Sequence, residues 1–415
     1  MAAPFDDLPL DWDRVQAAAV AGAGNVVRTP IVPSPELSAH AGVPLVLKAE
    51  NLQQTGSFKL RGALAKLAAA GPSVRAGVVL GSAGNHARAA AWACHTLNIP
   101  CTVFMPTTAS ITKAEACTQL GAEVRLDWPT VDEAVAAATE EARASGRTML
   151  HPFDDLDVVA GQATLGVELS EQVADARLVV IPLGGGGLAS GVAWAVKQAH
   201  PKARIVAVQA AVCSPWLGDG SPGDHPLANS RGTIADGIAV KRPGTITRPF
   251  VDALVDDIVV VEEDAIADAV VWLFSTTKLV VEGAGAVGVA AIQQRLIPMP
   301  DGPGTSVVIL SGGNIDPGVL GDAIRRHETS AGRRLLLRAR LDDRPGALAD
   351  VTALLAAAGA NVVDIQHIRE GIDLHFGQTG IEIVAQVRGP DHAARVVEAA
   401  RTAGVDVEAQ RSWPD

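Results

Sequence analysis

Lys59 lies in the segment SFKLRGA, residues 57 to 63, where apolar residues begin to recur at three- and four-residue spacings. This pattern predicts a helix with Ser57 as its N-cap and Lys59 in its first turn. A cation is mildly disfavoured there, because unpaired N–H groups make a helix N-terminus positive. A lone lysine is most often a solvated surface charge. In a closed site, however, desolvation and the helix dipole favour the neutral amine, which is the form that Schiff-base chemistry requires.

A second candidate is the run of four glycines, Gly184, Gly185, Gly186 and Gly187, between the apolar stretch LVVIPL and a predicted helix. Backbone N–H groups without side chains can converge on a phosphate at the positive end of that helix. No GK[ST] follows, which argues against a nucleoside-triphosphate loop. The run also fits the dinucleotide pattern G-x-G-x-x-A, but the next strand ends in Gln209 and not in the acid that binds a ribose. A tight strand-to-helix crossover is the purely structural alternative.

Two shorter loops also carry polar groups that suit a ligand. Residues 82 to 85, SAGN, join a predicted strand to a predicted helix and offer backbone N–H groups and an amide to a carboxylate and a neighbouring hydroxyl. In the segment VVILSGGNIDPG, residues 307 to 318, Ser311 precedes two glycines and Asn314. Taken alone, the first is a common helix start and the second a common turn.

The elements that must position these residues are those of an α/β protein. From about residue 20 to residue 325, β-rich apolar runs alternate with alanine-rich helical stretches, which predicts a largely parallel sheet. The predicted strands are Pro44–Lys48, Gly77–Leu80, Cys101–Met105, Glu123–Leu126, Leu178–Leu183, Ile205–Gln209 and Ser306–Leu310. Ligands of such sheets bind beyond the carboxyl ends of the strands, where these loops lie.

A polar segment, RRHETSAGRR at residues 325–334, separates a second predicted domain from the first. We interpret it as a linker between a catalytic region, residues 1–324 with two α/β subdomains, and a domain at residues 335–415. The second domain has the order β-α-β-β-α-β of the ferredoxin-like fold. Its predicted elements are Leu335–Leu341, Ala347–Ala358, Asn361–Ile368, Gly380–Arg388, Asp391–Ala403 and Val405–Ala409.

Composition excludes several classes of function. The 415 residues are 48% hydrophobic and 19% charged with a net charge of −12, and no basic run suggests a nucleic-acid groove. The longest uncharged run, residues 178–196, contains a proline and the four glycines, so we expect no membrane span. The start of the sequence is acidic and lacks the layout of a secretion signal, and the four cysteines show no CxxC spacing. We therefore expect a reduced, cytoplasmic protein without a cysteine metal site.

The motifs SFKLRGA, SAGNH, GGGGL and SGGN, in this order, resemble those of the pyridoxal-phosphate enzymes of fold type II. The closest resemblance is to the threonine dehydratases, or threonine ammonia-lyases, with serine dehydratases and serine racemases nearby. HPFDD, AGQAT, TIADGIAV and EGAGAVG, which begin at residues 151, 160, 233 and 282, are similar to that family as well. The resemblance spans nearly the whole catalytic region and implies two open twisted α/β domains.

The resemblance also implies a role for each motif residue. Phe58 packs on the cofactor ring, Lys59 forms the internal aldimine and Asn85 bonds the ring hydroxyl. The phosphate is held by Gly184, Gly185, Gly186, Gly187 and Leu188, and Ser311 faces the pyridine nitrogen. The substrate carboxylate is bound by Ser82, Ala83, Gly84, Asn85 and His86.

Three departures from related enzymes refine these expectations. Ala83 replaces the serine with which serine racemases protonate the opposite face, which argues against racemisation. Many relatives bind a divalent cation through a carboxylate where this chain has Gln209, with Cys213 and Pro215 at the following ligand positions, so we expect no bound metal there. Arg88 stands where relatives often have glutamine, and the sequence offers no reason for that change.

The segment DRPGALADVTALLAAAGANVVDIQH, residues 343–367, resembles an ACT domain. The resemblance implies that Gly346, Ala347 and Asn361 bind a small amino-acid effector, often at a dimer interface, and adjust catalysis through coupling between two sites. An oligomerisation module that binds nothing is the alternative.

The expected activity is β-elimination of L-threonine to 2-oxobutanoate and ammonia, with L-serine as a second substrate, a reaction that suits isoleucine biosynthesis. We expect a homo-oligomer, either a dimer or a tetramer. The alternatives are a serine or 3-hydroxyaspartate dehydratase, a β-replacement enzyme like the cysteine synthases, and a catalytically idle amino-acid sensor. The phosphate loops of β-replacement enzymes carry a threonine, whereas this loop is all glycine.

Overall fold

The computed structural model describes residues 7–217, 232–369 and 374–409. The chain forms two compact units, one ending at Asp316 and the other beginning at Pro317. In the described ranges the helices are α1 (Trp12–Gly22), α2 (Pro35–Ala41), α3 (Lys59–Ala70), α4 (Asn85–Thr96), α5 (Ile111–Gln119), α6 (Val131–Ser145), α7 (Leu156–Gln172), α8 (Gly187–Ala199), α9 (Arg248–Leu254), α10 (Glu263–Trp272), α11 (Gly283–Gln293), α12 (Pro317–Ser330), α13 (Ala347–Ala357) and α14 (Pro390–Thr402).

The strands of the same ranges are β1 (Ile31–Pro33), β2 (Leu45–Ala49), β3 (Val78–Gly81), β4 (Cys101–Pro106), β5 (Glu123–Trp128), β6 (Thr148–Met149), β7 (Ala176–Pro182), β8 (Arg204–Ala210), β9 (Asp257–Val261), β10 (Thr305–Leu310), β11 (Arg334–Asp342), β12 (Asn361–Ile368), β13 (Gln378–Gln386) and β14 (Asp406–Ala409). Short 3-10 helices cover Glu50–Leu52, Gln54–Gly56, Gly71–Ala76 and Asp236–Ile238, and a π-helical turn covers Leu273–Thr277. This content confirms the predicted α/β class.

The first unit contains two sheets. A six-stranded sheet has the order β1-β2-β10-β7-β8-β9, in which β1 is antiparallel to β2 and the other neighbours are parallel. A four-stranded parallel sheet has the order β5-β4-β3-β6. Strands such as β7 and β10 are buried along almost their whole length, which explains why they are continuous apolar runs.

The four loops that carry the predicted site follow the carboxyl ends of four strands. β2, β10 and β7 are neighbours in the six-stranded sheet, and they lead to Lys59, Ser311 and Gly184, respectively. β3 in the other sheet leads to Asn85. Adjacent parallel strands end at one edge of a sheet, so the chain brings three of these segments together by strand order alone.

Ser57 is not the N-cap of α3, contrary to the sequence-based expectation. The helix begins at Lys59, and Phe58 occupies the cap position without a side-chain cap. Ser57 is extended, with φ −163° and ψ 161°, and pairs with Gly312 in an isolated β-bridge. The backbone of Ser57 is committed to this bridge, and the helix therefore starts later than the apolar pattern indicates.

A cluster of four buried charged side chains, which we call the buried charge cluster, anchors α3. It consists of Lys48 in β2, Glu50, Arg61 in α3 and Glu168 in α7. Arg61 donates two hydrogen bonds to Glu50, at 2.9 and 2.8 Å, and one to Glu168 at 2.9 Å. Lys48 pairs with Glu168. Each charge has an opposite partner, which offsets part of the desolvation cost of burying it.

The second unit is an antiparallel sheet with two helices. Its strand order is β12-β13-β11-β14, and its chain order is β11-α13-β12-β13-α14-β14, which confirms the predicted ferredoxin-like arrangement. Its own core includes Leu337, Val351, Ile383 and Val396.

The segment at residues 325–334 that we interpreted as a linker is helical as far as Ser330, because α12 runs through it. α12 is amphipathic, and the residue that it buries, Ala323, precedes the polar segment. The proposed domain boundaries therefore stay a prediction. None of the helices in the described ranges combines the length and the apolar character that a membrane crossing requires.

Candidate active site

Short backbone contacts hold Lys59 against the loop of Ser311. The amide of Phe58 donates to the carbonyl of Ser311 at 3.1 Å, next to the bridge between Ser57 and Gly312. Ser311 is 2% exposed, and its hydroxyl lies 3.5 Å from the carbonyl oxygen of Ala284. The lysine-bearing segment and the serine loop, distant in the sequence, thus form one rigid edge of the site.

The side chain of Lys59 is half-buried, and its amine lies beside a backbone carbonyl and an aromatic ring. Its Nζ donates to the carbonyl of Pro152 at 2.8 Å and lies 5.1 Å from the centroid of the Phe58 ring. Burial lowers the pKa of Lys59 to about 8, against the opposing effect of the Glu282 charge. A substantial fraction of the amine is therefore neutral near pH 8, as an amine nucleophile requires.

The four glycines are tightly enclosed by neighbouring residues. A Cβ on Gly185 would lie 2.3 Å from the ring of Phe153, and a Cβ on Gly186 would lie 2.6 Å from the hydroxyl of Thr247. Gly186 also has φ +96°, a left-handed conformation that favours glycine. A Cβ on Gly184 would lie 3.0 Å from the backbone of Ile238. Glycine is therefore required here by contact distance as well as by conformation.

The carbonyl groups of the glycine loop are bonded on its outer side. Gly184 accepts from the indole of Trp216 at 2.7 Å, and Gly185 accepts from the hydroxyl of Thr247 at 2.7 Å. Asp154 fixes the segment that carries Thr247, because its carboxylate accepts from the amides of residues 245, 246 and 247 at 2.9, 2.7 and 3.2 Å. These bonds hold the loop in a fixed conformation.

The amide N–H groups of the loop, by contrast, are free. Within the described ranges, those of Gly184, Gly185 and Gly186 donate to no backbone or side-chain acceptor. They lie where α8 begins, so the helix dipole adds to their positive potential. Unpartnered donors at a helix start are the chemistry of a phosphate site.

Asn85 begins α4 and contacts the opposite side of the site. Its Nδ2 donates to Glu282 Oε1 at 2.6 Å, and its Oδ1 accepts from Asn314 Nδ2 at 2.6 Å. Burial and the nearby charge of Asp236 raise the pKa of Glu282 to about 7. Sequence reasoning missed the role of Glu282, although it is the first residue of the motif EGAGAVG.

One cavity collects most of the predicted residues. It is lined by Phe58, Lys59, Asn85, Pro152, Phe153, Gln162, Pro182, Gly184, Gly185, Gly186, Gly187, Leu188, Gly237, Ile238, Glu282, Ala284 and Ser311. A buried amine, a cradle of free amides and a neutral hydroxyl in one cavity fit pyridoxal phosphate, whose aldehyde, phosphate and ring nitrogen need these three groups.

The predicted carboxylate-binding residues other than Asn85 do not line this cavity. Ser82, Ala83 and Gly84 form the loop between β3 and α4, next to Asn85. His86 is 4% exposed, and its Nε2 lies 2.9 Å from the carbonyl oxygen of Leu150. Burial and the nearby Lys59 charge lower the pKa of His86 to about 3, so the ring is neutral and its N–H donates to that carbonyl.

The predicted absence of a metal ion at Gln209 stays a prediction. Gln209 is fully buried, and neither polar atom of its side-chain amide has a hydrogen-bond partner among the residues that the structure describes. The thiol of Cys213 contacts the carbonyl oxygen of Val240 at 3.1 Å. In the part of the chain that the structure describes, no three acidic, histidine or cysteine side chains are grouped as metal ligands.

A second cavity lies in the second unit, at the start of α13. Gly346 and Ala347 line it, together with charged residues that include Arg344 and Arg369. Asn361 does not line it; its Nδ2 donates to Gln386 Oε1 at 3.0 Å on the neighbouring strand. The structure therefore brings two of the three predicted effector residues together.

Known proteins share both parts of this architecture. The family described as pyridoxal-phosphate dependent enzyme matches residues 23–312, and the ACT domain family matches residues 336–402. An L-threonine ammonia-lyase of Geobacter sulfurreducens is 42% identical over 374 residues, 90% of this chain and 92% of that protein. A solved threonine deaminase from T.th. has 35% identity and a TM-score of 0.67, covering 74% of this chain and 99% of its own. Maize serine racemase has 33% identity and a TM-score of 0.69, covering 76% and 99%.

Proposed function

This chain belongs to the pyridoxal-phosphate dependent enzyme family and carries an ACT domain, and from that premise we propose that it converts L-threonine to 2-oxobutanoate and ammonia. L-serine is the second substrate. The relative from Geobacter sulfurreducens, which covers nine-tenths of this chain, supports the assignment as an ammonia-lyase of the threonine dehydratase type.

The observation that carries the proposal is the common cavity of Lys59, the free amides of the glycine loop and Ser311. Pyridoxal phosphate, when bound, supplies an aldehyde for the amino group of the substrate and a conjugated ring that accepts the electron pair of Cα. Lys59 holds the aldehyde, and the loop from Gly184 to Leu188 holds the phosphate. Phe58 packs against the ring.

The proton chemistry falls to Lys59. Its amine, once released by the substrate amino group, removes the proton from Cα as a general base. The bond between Cβ and the hydroxyl oxygen then breaks, and the hydroxyl leaves as water with the proton that Lys59 returns. Hydrolysis of the resulting unsaturated amine gives the 2-oxo acid and ammonia. A pKa of about 8 lets Lys59 accept and return this proton near neutral pH.

The remaining polar groups decide which reaction follows. Ser311 is a neutral group and, unlike a carboxylate, does not keep a pyridine nitrogen protonated, which favours elimination over transamination. Ala83 offers no proton to the opposite face of Cα, which argues against racemisation even though the fold is shared with a serine racemase. The loop from Ser82 to His86, at the start of α4, binds the substrate carboxylate. The amides of Ser82 and Gly84 already donate to the carbonyl of Phe104 and the hydroxyl of Ser82, so the other amides of the loop are the donors for the carboxylate.

The ACT domain supplies control by an amino acid. We assign effector binding to Gly346, Ala347 and Asn361, and the cavity at the start of α13 supports the first two. Arg344 and Arg369 in its lining suit the carboxylate of an amino acid. Isoleucine and valine are the effectors to test first.

We further propose a homo-oligomer, a dimer or tetramer, that works in the cytoplasm. Cys94, Cys101 and Cys117 are buried, and these three and Cys213 are free thiols, as a reducing compartment allows.

The decisive experiment follows 2-oxo acid formation from L-threonine, L-serine and 3-hydroxyaspartate, each with and without isoleucine or valine. We expect the highest kcat/KM with L-threonine and an altered rate with one of the effectors. Lys59→Ala should abolish both turnover and the visible absorption of the bound cofactor. Oxo acid from serine or hydroxyaspartate but none from threonine would assign those substrates instead. A protein that binds effector but neither cofactor nor substrate would be the idle sensor.

A further inference from the structure

A chain of side-chain hydrogen bonds links the surface to Asn85. Arg88 Nη1 donates to Asn314 Oδ1 at 2.9 Å, and Asn314 Nδ2 donates to Asn85 Oδ1 at 2.6 Å and to the carbonyl of Thr55 at 2.9 Å. Asn85 Nδ2 in turn donates to Glu282 Oε1 at 2.6 Å. Neither Arg88 nor Asn314 lines the cavity of Lys59.

The orientation of the Asn314 amide is fixed from both ends. A guanidinium can only donate, so it selects the oxygen of Asn314. A backbone carbonyl can only accept, so Thr55 selects the nitrogen. Both N–H bonds of Asn314 are then used. Turning the amide by 180° would place its oxygen against the carbonyl oxygen of Thr55 and its N–H groups against the guanidinium of Arg88.

The orientation of Asn85 follows from that of Asn314. The side-chain oxygen of Asn85 accepts from an N–H of Asn314, and one of the two side-chain N–H bonds of Asn85 donates to the carboxyl of Glu282. One N–H is left. Because Asn85 lines the cavity, this N–H is the polar group that it can offer to a bound molecule.

We infer that Arg88 and Asn314 are positioning residues that act through Asn85, so that the ring oxygen of pyridoxal phosphate always meets an N–H and never a carbonyl. This role rests on the proposed function of Asn85. A fixed donor favours the anionic form of that oxygen. This role explains why arginine and not glutamine occupies position 88, which the sequence alone did not. A glutamine can present either end of its amide to Asn314, whereas an arginine can only donate.

The test uses full-length protein and pyridoxal phosphate without any substrate. Arg88→Leu keeps part of the apolar stem and removes the donor, and Arg88→Lys restores a group that can only donate. The matched control is Arg143→Leu on α6, since Arg143 is exposed and bonds only Glu140 among the described side chains. The measurements are the ratio of the near-ultraviolet and visible bands of the bound cofactor and its dissociation constant.

We expect Arg88→Leu to change the band ratio and to raise the dissociation constant roughly threefold to tenfold, the effect of one lost polar contact. Arg88→Lys should keep values near those of the unchanged protein, and Arg143→Leu should change neither. Asn314→Asp, which places an acceptor against Thr55 and Asn85, should raise the dissociation constant about tenfold or more.

Unaltered spectra and affinity in Arg88→Leu would overturn the inference, as would equal changes in Arg88→Leu and Arg88→Lys. Circular dichroism checks that Asn314→Asp folds, and if it does not, the two Arg88 variants decide. These outcomes are separate from the failure of the proposed function, because the absence of threonine turnover leaves the spectrum of the bound cofactor measurable.

Discussion

Two opposing effects act on the pKa of Lys59. Burial favours the neutral amine, and the charge of Glu282 favours the protonated form. Burial dominates and lowers the pKa of Lys59 to about 8, while burial raises the pKa of Glu282 to about 7. Both shifts favour the uncharged form. Between about pH 7 and pH 8 each group is therefore present in both its charged and its uncharged form.

The rate at which pyridoxal phosphate attaches to the cofactor-free protein should follow the neutral fraction of Lys59. That fraction rises with pH through the pKa, so we expect a midpoint near pH 8 and not near the ordinary value of 10.5. Glu282→Gln removes the charge that opposes deprotonation and should move the midpoint lower. Stopped-flow absorbance gives the rates, Lys59→Ala is the blank, and a midpoint above pH 10 would contradict the burial of the amine.

For individual residues, the sequence identifies the residue types but not the residues that their side chains contact. Lys59, the glycines and Ser311 are recognisable because each sits in a motif. The contacts of Lys59 with Pro152, of Asn85 with Glu282 and of Arg88 with Asn314 join segments far apart in the chain. No spacing within one segment encodes such a contact.

At the scale of helices and strands, the predicted strands agree with the observed ones to within two residues at each end. Their apolar runs are continuous because both faces are buried. β1 and β6 escaped prediction because they have only three and two residues. The apolar run of β9 was not recognised as a strand either. The division into two sheets was not predictable, since the pairing of β2 with β10 depends on the whole fold.

Gly185→Ala tests whether the phosphate loop is limited by contact distance. The new methyl group would lie 2.3 Å from the ring of Phe153, and overpacking of this kind costs about 1–3 kcal/mol. We expect the dissociation constant of pyridoxal phosphate to rise about tenfold. Phe153→Ala in the same chain removes the conflicting ring and should recover part of the loss. Gly232→Ala, where no atom of the described residues lies within 4 Å of the new Cβ, is the control.

The buried charge cluster predicts a large difference between two glutamates. Glu50→Ala leaves Arg61, 3% exposed, without its main partner and should lower the free energy of unfolding by about 3–5 kcal/mol. Glu171→Ala breaks the exposed pair with Arg28 and should cost less than about 1 kcal/mol. Urea denaturation measures both. Equal losses would mean that the cluster does not stabilise α3.

For the whole molecule, the two units have separate hydrophobic cores and separate sheets. We expect two calorimetric unfolding transitions in the full-length protein. The proposed pyridoxal-phosphate site lies in the first unit, so the cofactor should raise the melting temperature of one transition and leave the other unchanged. A single transition, or equal shifts of both, would show that the units unfold together.

The position of β10 has a consequence for how the enzyme is made. β10 lies between β2 and β7, although the ribosome produces both of those strands well before it. A nascent chain that has not yet released β10 lacks the strand that connects β2 to β7, and it also lacks Ser311. We therefore expect the vitamin-derived cofactor to bind only after nearly the whole first unit has been translated, and truncated translation products should leave it free.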